Sequence, residues 1–320
     1  AMGGDNAPDE IVKGAVMALE NENINITLVG REDLISKQLD LHSYDKSRID
    51  IVNANEVITN EDTPTDAIRR KKDSSIVVGF KLVKEKQCEG FVSAGNTGAL
   101  LTGSTVKVGR IKGIERPALG TLLPNTNGFS FLIDSGANVD SKANYLVQFA
   151  KMGSIYMESM VGVKNPKVGL VNIGTEKEKG NSLTKEVYPL LEDANLNFIG
   201  NIEARDIPKG VADVIVCDAF VGNIILKYTE GFASALMSMI KKELMSKTIY
   251  KVGAAISGGA FKNLKKSFDY DDYGGAPFLG LNSLIVKAHG SSNARAIKGA
   301  INQCYLASDN QLINKIAEKL

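Results

Sequence analysis

The sequence has few of the residues that build metal centres and disulfide frameworks. Its 320 residues include two histidines and three cysteines, and the cysteines stand at positions 88, 217 and 304. Three scattered cysteines fit a reducing compartment and no disulfide framework, and two histidines argue against a His-based metal site. No run of about 20 apolar residues occurs, which argues against a membrane-spanning helix. No signal peptide is visible in the sequence.

Several familiar catalytic fingerprints are also missing. The chain has no Gly-x-Gly-x-x-Gly after a strand, no Walker A sequence and no Gly-x-Ser-x-Gly nucleophile elbow. Its formal net charge of +1 argues against a general nucleic-acid binder. Acidic partners, if any, must therefore be bound by local patches of positive charge.

Apolar runs alternate with amphipathic stretches along the chain. We predict strands at 24–30, 49–52, 167–174, 213–218 and 284–286, and helices at 31–39, 182–191 and 223–245. Residues 119–123 and 129–134 are close enough in sequence to form an antiparallel pair. Strands that alternate with helices indicate a largely parallel sheet covered on both faces. The expected fold is a single two-lobed α/β domain over residues 1–320.

The chain opens with the stretch Ala-Met-Gly-Gly-Asp-Asn-Ala-Pro at positions 1–8. Gly3 and Gly4 allow a sharp turn and a close approach to a ligand, and Pro8 suits the first residue of a helix. A Gly-rich turn before a helix can bind an anion, and Asp5 and Asn6 could orient it. Many tight turns of this kind bind nothing.

Five polar loops are predicted at the carboxyl ends of strands, where open α/β sheets bind their ligands. The candidate residues in these loops are Gly95, Asn96, Thr97 and Gly98; Asn172, Gly174, Glu176 and Lys179; Asn201 and Glu203; Asp218 and Asn223; and His289, Ser291 and Ser292. Asn96, Thr97, Lys179 and His289 are the candidate catalytic residues, because they could hold an anion or an oxyanion or move a proton.

Each loop also has a simpler interpretation. Asn96 could be an ordinary helix cap, as could Asn223 and Asn293, and the loop around Lys179 could be a solvated charged loop. A lone histidine near a turn, such as His289, is more often structural. Loops that hold anions without an obvious nucleophile fit a reaction in which phosphate itself attacks.

Two basic features stand apart from these loops. The run Arg69, Arg70, Lys71 and Lys72 is predicted to begin a helix, where cations oppose the helix dipole unless an acidic partner binds them; a solvated run is the alternative. In residues 245–268 an apolar face lies opposite a lysine face. Ser257-Gly258-Gly259 is expected to divide this segment into two short helices. The apolar face comprises Ile249, Val252, Ile256, Phe261 and Leu264. It could lie on an anionic bilayer or pack on a second subunit.

The ordered motifs resemble those of the PlsX family, the acyl-ACP:phosphate acyltransferases of bacterial phospholipid synthesis. Besides positions 1–8, they are Ser93–Ala99, Glu115–Ala118, Asp134–Asn138, Asn172–Glu176, Gly200–Glu203, Asp218–Asn223 and Lys287–Ser292. The resemblance implies a three-layer α/β/α sandwich similar to isocitrate and isopropylmalate dehydrogenases and related to phosphotransacetylases. Family members carry a short strand before Ala-Met-Gly-Gly-Asp, central to the sheet, which this chain lacks.

The implied reaction joins a fatty acyl group from acyl carrier protein to inorganic phosphate, without a cofactor or a metal. The implied protein is a cytoplasmic homodimer, peripherally associated with the anionic membrane surface and with the membrane acyltransferase that uses acyl phosphate. Arg69, Arg70, Lys71 and Lys72 would then dock the acidic carrier protein. Two alternatives remain open: an NAD-dependent decarboxylating dehydrogenase of the same fold, and a non-catalytic membrane-associated scaffold for lipid enzymes.

Overall fold

The computed structural model describes residues 1–260 and 275–320. The strands are β1 (Ile26–Gly30), β2 (Ile49–Asn53), β3 (Gly90–Ser93), β4 (Ala118–Asn125), β5 (Gly128–Ile133), β6 (Val168–Asn172), β7 (Phe198–Glu203), β8 (Val214–Val216), β9 (Ala276–Leu279) and β10 (Leu284–Lys287). The α-helices are α1 (Asp9–Ala18), α2 (Glu32–Leu39), α3 (Pro64–Arg70), α4 (Ser75–Lys84), α5 (Thr97–Gly103), α6 (Ala143–Tyr156), α7 (Ser182–Glu192), α8 (Ala219–Leu244), α9 (Thr248–Ile256), α10 (Ala294–Asp309) and α11 (Leu312–Lys319). Short 3-10 turns cover Lys46–Arg48 and Ala204–Lys209, and π-helical turns cover Ser104–Val108 and Met157–Val161.

Eight of these strands form one sheet in the order β3-β10-β9-β4-β5-β8-β6-β7. Strands β3 and β10 are parallel, and β5, β8, β6 and β7 are parallel to one another. Antiparallel pairs link β10 to β9, β9 to β4, and β4 to β5. Three reversals separate the two parallel sets, so β3 and β10 run opposite to β5, β8, β6 and β7. The predicted antiparallel pair at 119–134 is confirmed.

Side chains alternate between the two faces of this sheet, as strand geometry requires. On β5, Phe131 and Ile133 join the core that α6, α10 and α11 cover, whereas Leu132 faces a second core beside α8. On β10, Ile285 faces a third core under α4 and α5. One face therefore has a continuous core and the other has two separate cores. This arrangement is the expected three-layer α/β/α sandwich.

Strands β1 and β2 form a separate parallel pair with its own small core against α1 and α2. A cavity of about 590 Å³ lies between β1 and β3. Leu28 and Val29 line one side, Phe91 and Val92 the other, and Ile301 of α10 contributes to the wall.

The helix starts follow from local capping. Asp218 accepts a hydrogen bond from the backbone N–H of Val221 at 2.9 Å, so α8 begins four residues before the predicted start. The prediction that Asn223 caps this helix is therefore wrong. Asn293 accepts from the N–H of Ala296 at 2.9 Å, which confirms it as the cap of α10. Pro8 lies one residue before α1 instead of being its first residue.

Helix α8 packs closely on the end of β5 at Gly222. A Cβ atom at this position would lie 1.9 Å from the backbone oxygen of Asp134 and 3.0 Å from Cys217 Sγ. Neither the backbone oxygen nor the buried thiol can move aside easily. Glycine therefore fixes how near α8 can come to the sheet.

We expect Gly222→Ala to reduce the free energy of unfolding by about 1–3 kcal/mol, because the added methyl group overpacks this contact. Gly231→Ala is the matched control, since nothing lies within 4 Å of the corresponding Cβ position on the same helix. The control should gain up to about 1 kcal/mol from helix propensity. Urea denaturation measures both, and equal effects would contradict the close packing of α8.

Candidate functional site

The opening segment is wedged between the loops that follow β3 and β10. A Cβ on Gly3 would lie 2.7 Å from the backbone of Gly95, and one on Gly4 would lie 2.9 Å from the oxygen of Gly290. Gly4 has a φ of +100°, which glycine adopts without strain. The N–H of Asp5 donates to the oxygen of Gly290 at 2.7 Å. The two glycines are thus required by close approach to protein backbone.

Asn6 ties the segment to the loop after β10. Its amide Nδ2 lies 3.3 Å from the backbone oxygens of both Ser291 and Ser292. The loop after β10 is joined in turn to β3, because the N–H of Ala288 donates to the oxygen of Ser93 at 2.9 Å. Three chain segments that are distant in sequence therefore meet at one end of β3 and β10.

His289 has a defined orientation in this loop. Its Nδ1 lies 3.2 Å from the backbone nitrogen and 2.8 Å from the Oγ of Ser291, and its Nε2 lies 3.4 Å from Lys227 Nζ. A lysine ammonium can only donate, so Nε2 accepts from Lys227 when the neutral ring carries its proton on Nδ1, which then donates to Ser291 Oγ. Burial, followed by the charge of Lys227, lowers the pKa of His289 below its ordinary value of 6.5. The ring is therefore neutral at pH 7.

Lys227 of α8 faces the ring of His289. Its Nζ lies 3.4 Å from His289 Nε2 and 2.8 Å from Glu230 Oε2. Lys227 is one helical turn after Asn223, so the two side chains share a face of α8. Asn223 Oδ1 in turn lies 3.7 Å from the Cβ position of Gly136, in the loop after β5. Helix α8 thereby connects the loop after β5 with the loop after β10.

Lys287, the last residue of β10, adds a second cation. It is partly buried, and its Nζ donates to the backbone oxygen of Ala288. Burial, and next the charge of Lys227, lower the pKa of Lys287 from 10.5 to about 8, while Asp5 acts in the opposite direction. Among the described residues, no carboxylate forms an ion pair with it. We call Asp5, Asn6, Lys227, Lys287, His289 and Ser291 the β10 loop cluster.

Asn96 lies at the end of the neighbouring strand and caps α5. Its Oδ1 accepts from the N–H of Ala99 at 2.9 Å, and its Nδ2 donates to the oxygen of Thr59 at 3.3 Å. The cap interpretation is confirmed, and Thr97 becomes the first residue of the helix. Gly98 is crowded, with its Cβ position 2.7 Å from Pro64 Cγ. Asn96 can serve a ligand through the second N–H of Nδ2, because the cap uses only its oxygen and Thr59 accepts one N–H.

A second set of predicted residues, the β6 loop cluster, holds its own loop in shape. Its members are Asn172, Gly174, Glu176, Lys179 and Asn201. Asn172 Nδ2 donates to the oxygen of Lys179 at 3.0 Å, and Asn201 Nδ2 donates to the oxygen of Glu176 at 2.8 Å. A Cβ on Gly174 would meet Glu176 Oε2 at 2.7 Å. These amides support the loop backbone, and Lys179 is exposed.

Two details of this region differ from the sequence-based expectation. Gly200–Glu203 lies within β7, not in a loop after a strand, and Asn201 is buried with its Oδ1 unpartnered among the described residues. Glu203 pairs with Arg205 at 2.5 Å. Asn201 thus has a structural partner through Nδ2, and Glu203 has one in Arg205.

The two clusters do not share one edge of the sheet, contrary to the expectation of a common placement. Strands β10 and β6 run in opposite directions, and β9, β4, β5 and β8 separate them. Five strand spacings amount to roughly 24 Å across the sheet. The structure therefore does not bring Lys179 to Asn96 or His289. It brings together Asp5, Asn6, His289, Ser291 and Ser292.

The basic run lies at the end of a helix, so the prediction that it begins one is wrong. Arg69 and Arg70 close α3, where positive charge is favourable to the dipole. Lys71 pairs with Asp62 at 2.6 Å and donates to the oxygen of Val57 at 2.8 Å. Pro64 favours the start of α3, and the pairing of Lys71 with Asp62 lies just after its end, which explains why the basic run follows the helix. Only Arg69, Arg70 and Lys72 remain exposed.

The amphipathic segment is interrupted, as expected. Helix α9 ends at Ile256, and Ser257 is a turn between it and the helical residues 258–260. Ile249, Val252 and Ile256 are 70%, 51% and 82% exposed. Phe261 and Leu264, with the lysines at 262, 265 and 266, lie outside the described residues. Within the described part of the chain, no helix is long and apolar enough to cross a bilayer.

Sequence reasoning assigned no site role to three contributors. Lys287 and Asp134 lie within the motifs Lys287–Ser292 and Asp134–Asn138, and Lys227 follows Asn223 by four residues, which is the signal that could have identified them. Asp134 is buried and accepts from the N–H groups of Leu119, Gly136, Ala137 and Asn138 and from Asn138 Nδ2, at 2.7–3.2 Å. Its carboxylate shapes the loop after β5 against which α8 begins.

An α/β/α sandwich with clustered donors and cations beyond a strand end is an arrangement that suits the binding of anionic ligands. Residues 1–315 match the family described as fatty acid synthesis protein. The chain is 53% identical over 321 residues to the phosphate acyltransferase of Clostridium perfringens strain SM101, covering 100% of this chain and 95% of the relative. It therefore belongs to this family, the PlsX family that its motifs resemble.

Solved structures agree with the fold. A phosphotransacetylase from Streptococcus pyogenes superposes with a TM-score of 0.62 at 17% identity, covering 96% of this chain and 92% of that one. The 4-hydroxythreonine-4-phosphate dehydrogenase of Klebsiella pneumoniae gives a TM-score of 0.51 at 12% identity, covering 94% and 95%. At these identities the likeness concerns the fold alone.

The depressed pKa of Lys287 predicts a pH-dependent stability difference. Below pH 8 the ammonium is charged in the folded and unfolded states, so its burial destabilises the fold; above about 10.5 it is neutral in both. We expect Lys287→Met to raise the free energy of unfolding at pH 7 by up to about 3 kcal/mol. This gain should shrink as the pH rises from 8 towards 10.5.

Denaturation in phosphate-free buffer across pH 7–10.5 measures this difference. Lys241→Met, an exposed position of α8, is the control and should differ from wild type by less than about 0.5 kcal/mol at each pH. A destabilised Lys287→Met protein, or a gain that does not vary with pH, would contradict the burial of an unpaired charge.

Proposed function

We propose that this protein transfers a fatty acyl group from acyl-acyl carrier protein to inorganic phosphate, giving acyl phosphate for phospholipid synthesis. Family membership over residues 1–315 is the observation that carries the proposal, and relatives at 53% and 52% identity are named phosphate acyltransferases. The β10 loop cluster supports it, because its donors and cations suit an anionic nucleophile and an oxyanion.

In the proposed reaction, an oxygen of hydrogen phosphate attacks the thioester carbonyl carbon. The C–O bond forms, the C–S bond breaks, and the carrier thiolate leaves and takes the proton that phosphate brought. Because a thiolate is a tolerable leaving group, no covalent enzyme intermediate is needed. The chain has to hold the two reactants together and donate hydrogen bonds to the developing oxyanion.

The described side chains can be assigned to these tasks. We assign the donor roles to Asn96 Nδ2, the ring of His289 and the backbone around Ser291, which lie at the ends of β3 and β10. Asp5 and Asn6 position the loop after β10 through the contacts to Gly290, Ser291 and Ser292. Lys179, in the other cluster, remains a candidate from the sequence without a contact to these donors.

The purified chain should release free carrier protein from acyl-acyl carrier protein only when phosphate is added, with acyl phosphate trapped as the hydroxamate by hydroxylamine. In this assay we expect Asn96→Ser to lower the turnover number by about 100-fold, because an oxyanion donor is removed. Serine caps helices about as well as asparagine, so stability should change by less than about 0.5 kcal/mol.

Asn21→Ser is the matched control, since Asn21 Oδ1 only accepts from the N–H of Asn23 in a distant turn; its turnover should stay within about twofold of wild type. Unchanged turnover of the Asn96→Ser variant would exclude Asn96 as an oxyanion donor. Release of carrier protein without phosphate would refute the reaction. Reduction of a nicotinamide by hydroxy acids would favour the dehydrogenase alternative, and no turnover at all would favour the scaffold.

The carrier protein is proposed to dock at the end of α3. Arg69, Arg70 and Lys72 are exposed there, and Arg69 has only a surface ion pair with Asp66 at 3.3 Å. An exposed pair of this kind contributes little and can be replaced by an acidic partner. Lys71 is excluded from the docking role, because it is held by Asp62.

We expect Arg69→Glu, Arg70→Glu and Lys72→Glu together to raise KM for acyl-acyl carrier protein about tenfold at low salt, with kcat within about twofold. The reason is charge repulsion at the docking step, so the difference should diminish at high salt. Glutamates at the exposed lysines 46, 84 and 185 change the net charge equally and serve as control. An equal rise in KM for the control would show that the effect comes from the net charge and not from a docking site at the end of α3.

The proposal extends to a homodimer that associates with an anionic membrane surface. Along α8, Tyr228 and Phe232 stack with ring centroids 5.8 Å apart although they are 70% and 56% exposed. Exposed apolar rows of this extent are typical of interaction surfaces. The exposed apolar side chains of α9 suit the interface of a bilayer.

A further inference from the structure

The side-chain amide of Asn96 is held at both of its polar atoms. Its Oδ1 accepts from the backbone N–H of Ala99 at 2.9 Å, and one N–H of its Nδ2 donates to the backbone oxygen of Thr59 at 3.3 Å. Because an amide group is planar, these two contacts hold its plane and leave the second N–H a single direction. The orientation of that N–H therefore depends on where the carbonyl group of Thr59 lies.

Asp62 holds the turn to which Thr59 belongs. One carboxylate oxygen, Oδ2, accepts from the backbone N–H of Thr59 at 2.8 Å and from its Oγ1 at 3.1 Å. Thr59 itself is exposed, whereas the preceding residue, Ile58, is buried in the core under α4 and α5. The carbonyl group of Thr59 is thus placed by the packing of Ile58 on one side and by the carboxylate of Asp62 on the other.

Lys71 holds this carboxylate in turn. Its Nζ donates to Asp62 Oδ2 at 2.6 Å and to the backbone oxygen of Val57 at 2.8 Å, so it ties together both ends of the segment 57–62. The hydrogen bond from Lys71, followed by that from the N–H of Thr59, lowers the pKa of Asp62 below its ordinary value of 3.8. The carboxylate is therefore ionised at neutral pH, and its charge-assisted bonds are stronger than bonds between neutral groups.

We propose that Asp62 is a positioning residue, which acts through Thr59 to direct the second N–H of Asn96 at the reacting carbonyl group. This inference rests on the proposed function, in which Asn96 donates to the oxyanion. Asp62 does not need to touch the substrate. It acts before the reaction, because it excludes orientations of the amide in which the second N–H points away from the developing charge.

Replacement of Asp62 by alanine tests the proposal in the phosphate-dependent release of carrier protein. We expect Asp62→Ala to lower kcat about tenfold, because the donor remains but its direction is no longer fixed. Neither KM should rise more than about twofold, since the bond to the oxyanion is made only in the transition state. Thr59 is exposed, so water can solvate its freed N–H and hydroxyl group and the variant should fold.

A double-mutant cycle with Asn96→Ser distinguishes positioning from a purely structural role. Once the amide is absent, Asp62 has nothing to orient, so Asp62→Ala should change kcat by less than about twofold in the Asn96→Ser background. Equal losses of kcat in the two backgrounds would overturn the proposal. Wild-type kcat of either single variant would overturn it as well.

Asp45→Ala is the matched control. Asp45 accepts from the N–H and the Oγ of Ser47 at 2.9 and 2.7 Å in the turn before β2, so it holds a turn through the same two kinds of donor. Its replacement should leave kcat within about twofold of wild type. A loss as large as that of Asp62→Ala would contradict a specific effect on Asn96.

The side-chain amide signal of Asn96 in the nuclear magnetic resonance spectrum gives a measurement that needs no turnover. In the isotope-labelled chain this signal is identified by its absence from the Asn96→Ser variant. We expect it to shift in Asp62→Ala and to keep its position in Asp45→Ala. An unmoved signal in Asp62→Ala would overturn the positioning. A shifted signal in a protein that releases no carrier protein would refute the proposed function and leave the positioning of Asn96 by Asp62 standing.

Discussion

The packing of α8 on the end of β5 is the constraint on which the candidate site depends. At Gly222 the helix comes so near to the sheet that a methyl group would meet the backbone oxygen of Asp134 at 1.9 Å. The Asp134 carboxylate holds the adjoining loop with five N–H donors. From this fixed start, α8 carries Asn223 and then Lys227 to His289. A helix held only by its distant end could not place Lys227 Nζ reproducibly within 3.4 Å of the imidazole.

The site also illustrates why binding groups reduce stability. Lys287 is held partly out of water without a described ion-pair partner, and its ammonium lies in the field of Lys227. Both effects disfavour the folded state with charged lysine. A sequence selected for stability alone would place methionine or leucine at the end of β10. The cost is understandable if an anion offsets it, since a bound dianion restores the favourable electrostatics.

Much of the fold could be predicted from the sequence, because strand and helix periodicities are local properties. The strands at 26–30, 49–53 and 284–287 and the helices at 32–39 and 182–192 lie within a few residues of the predicted bounds. The start of α8 was misplaced because Asp218 and Asn223 are both good caps and the pattern does not rank them. The helix at Pro64 was overlooked, so the basic run was assigned to the wrong end of a helix.

The candidate site was predicted less completely, because it depends on the direction of strands that are distant in sequence. Five polar loops after apolar runs suggested a single edge, but the pairings of β10, β9, β4 and β5 reverse the chain three times. A reversal that pairs strands distant in sequence is not visible in any local sequence pattern. The pairing of Lys227 with His289, 62 residues apart, is likewise a tertiary property. Motif strings could therefore identify the family but could not assemble its site.

The opening stretch acquires a defined role from this assembly. Gly3 and Gly4 are needed because the chain passes within contact distance of the backbone at Gly95 and Gly290, so they serve packing before they serve any ligand. By bonding Gly290, Ser291 and Ser292, the segment fixes the loop that orients His289. Its effect on an anion is therefore indirect. A ring held by three separate chain segments needs little reorganisation when charge develops beside it, and preorganisation of this kind is what electrostatic catalysis requires.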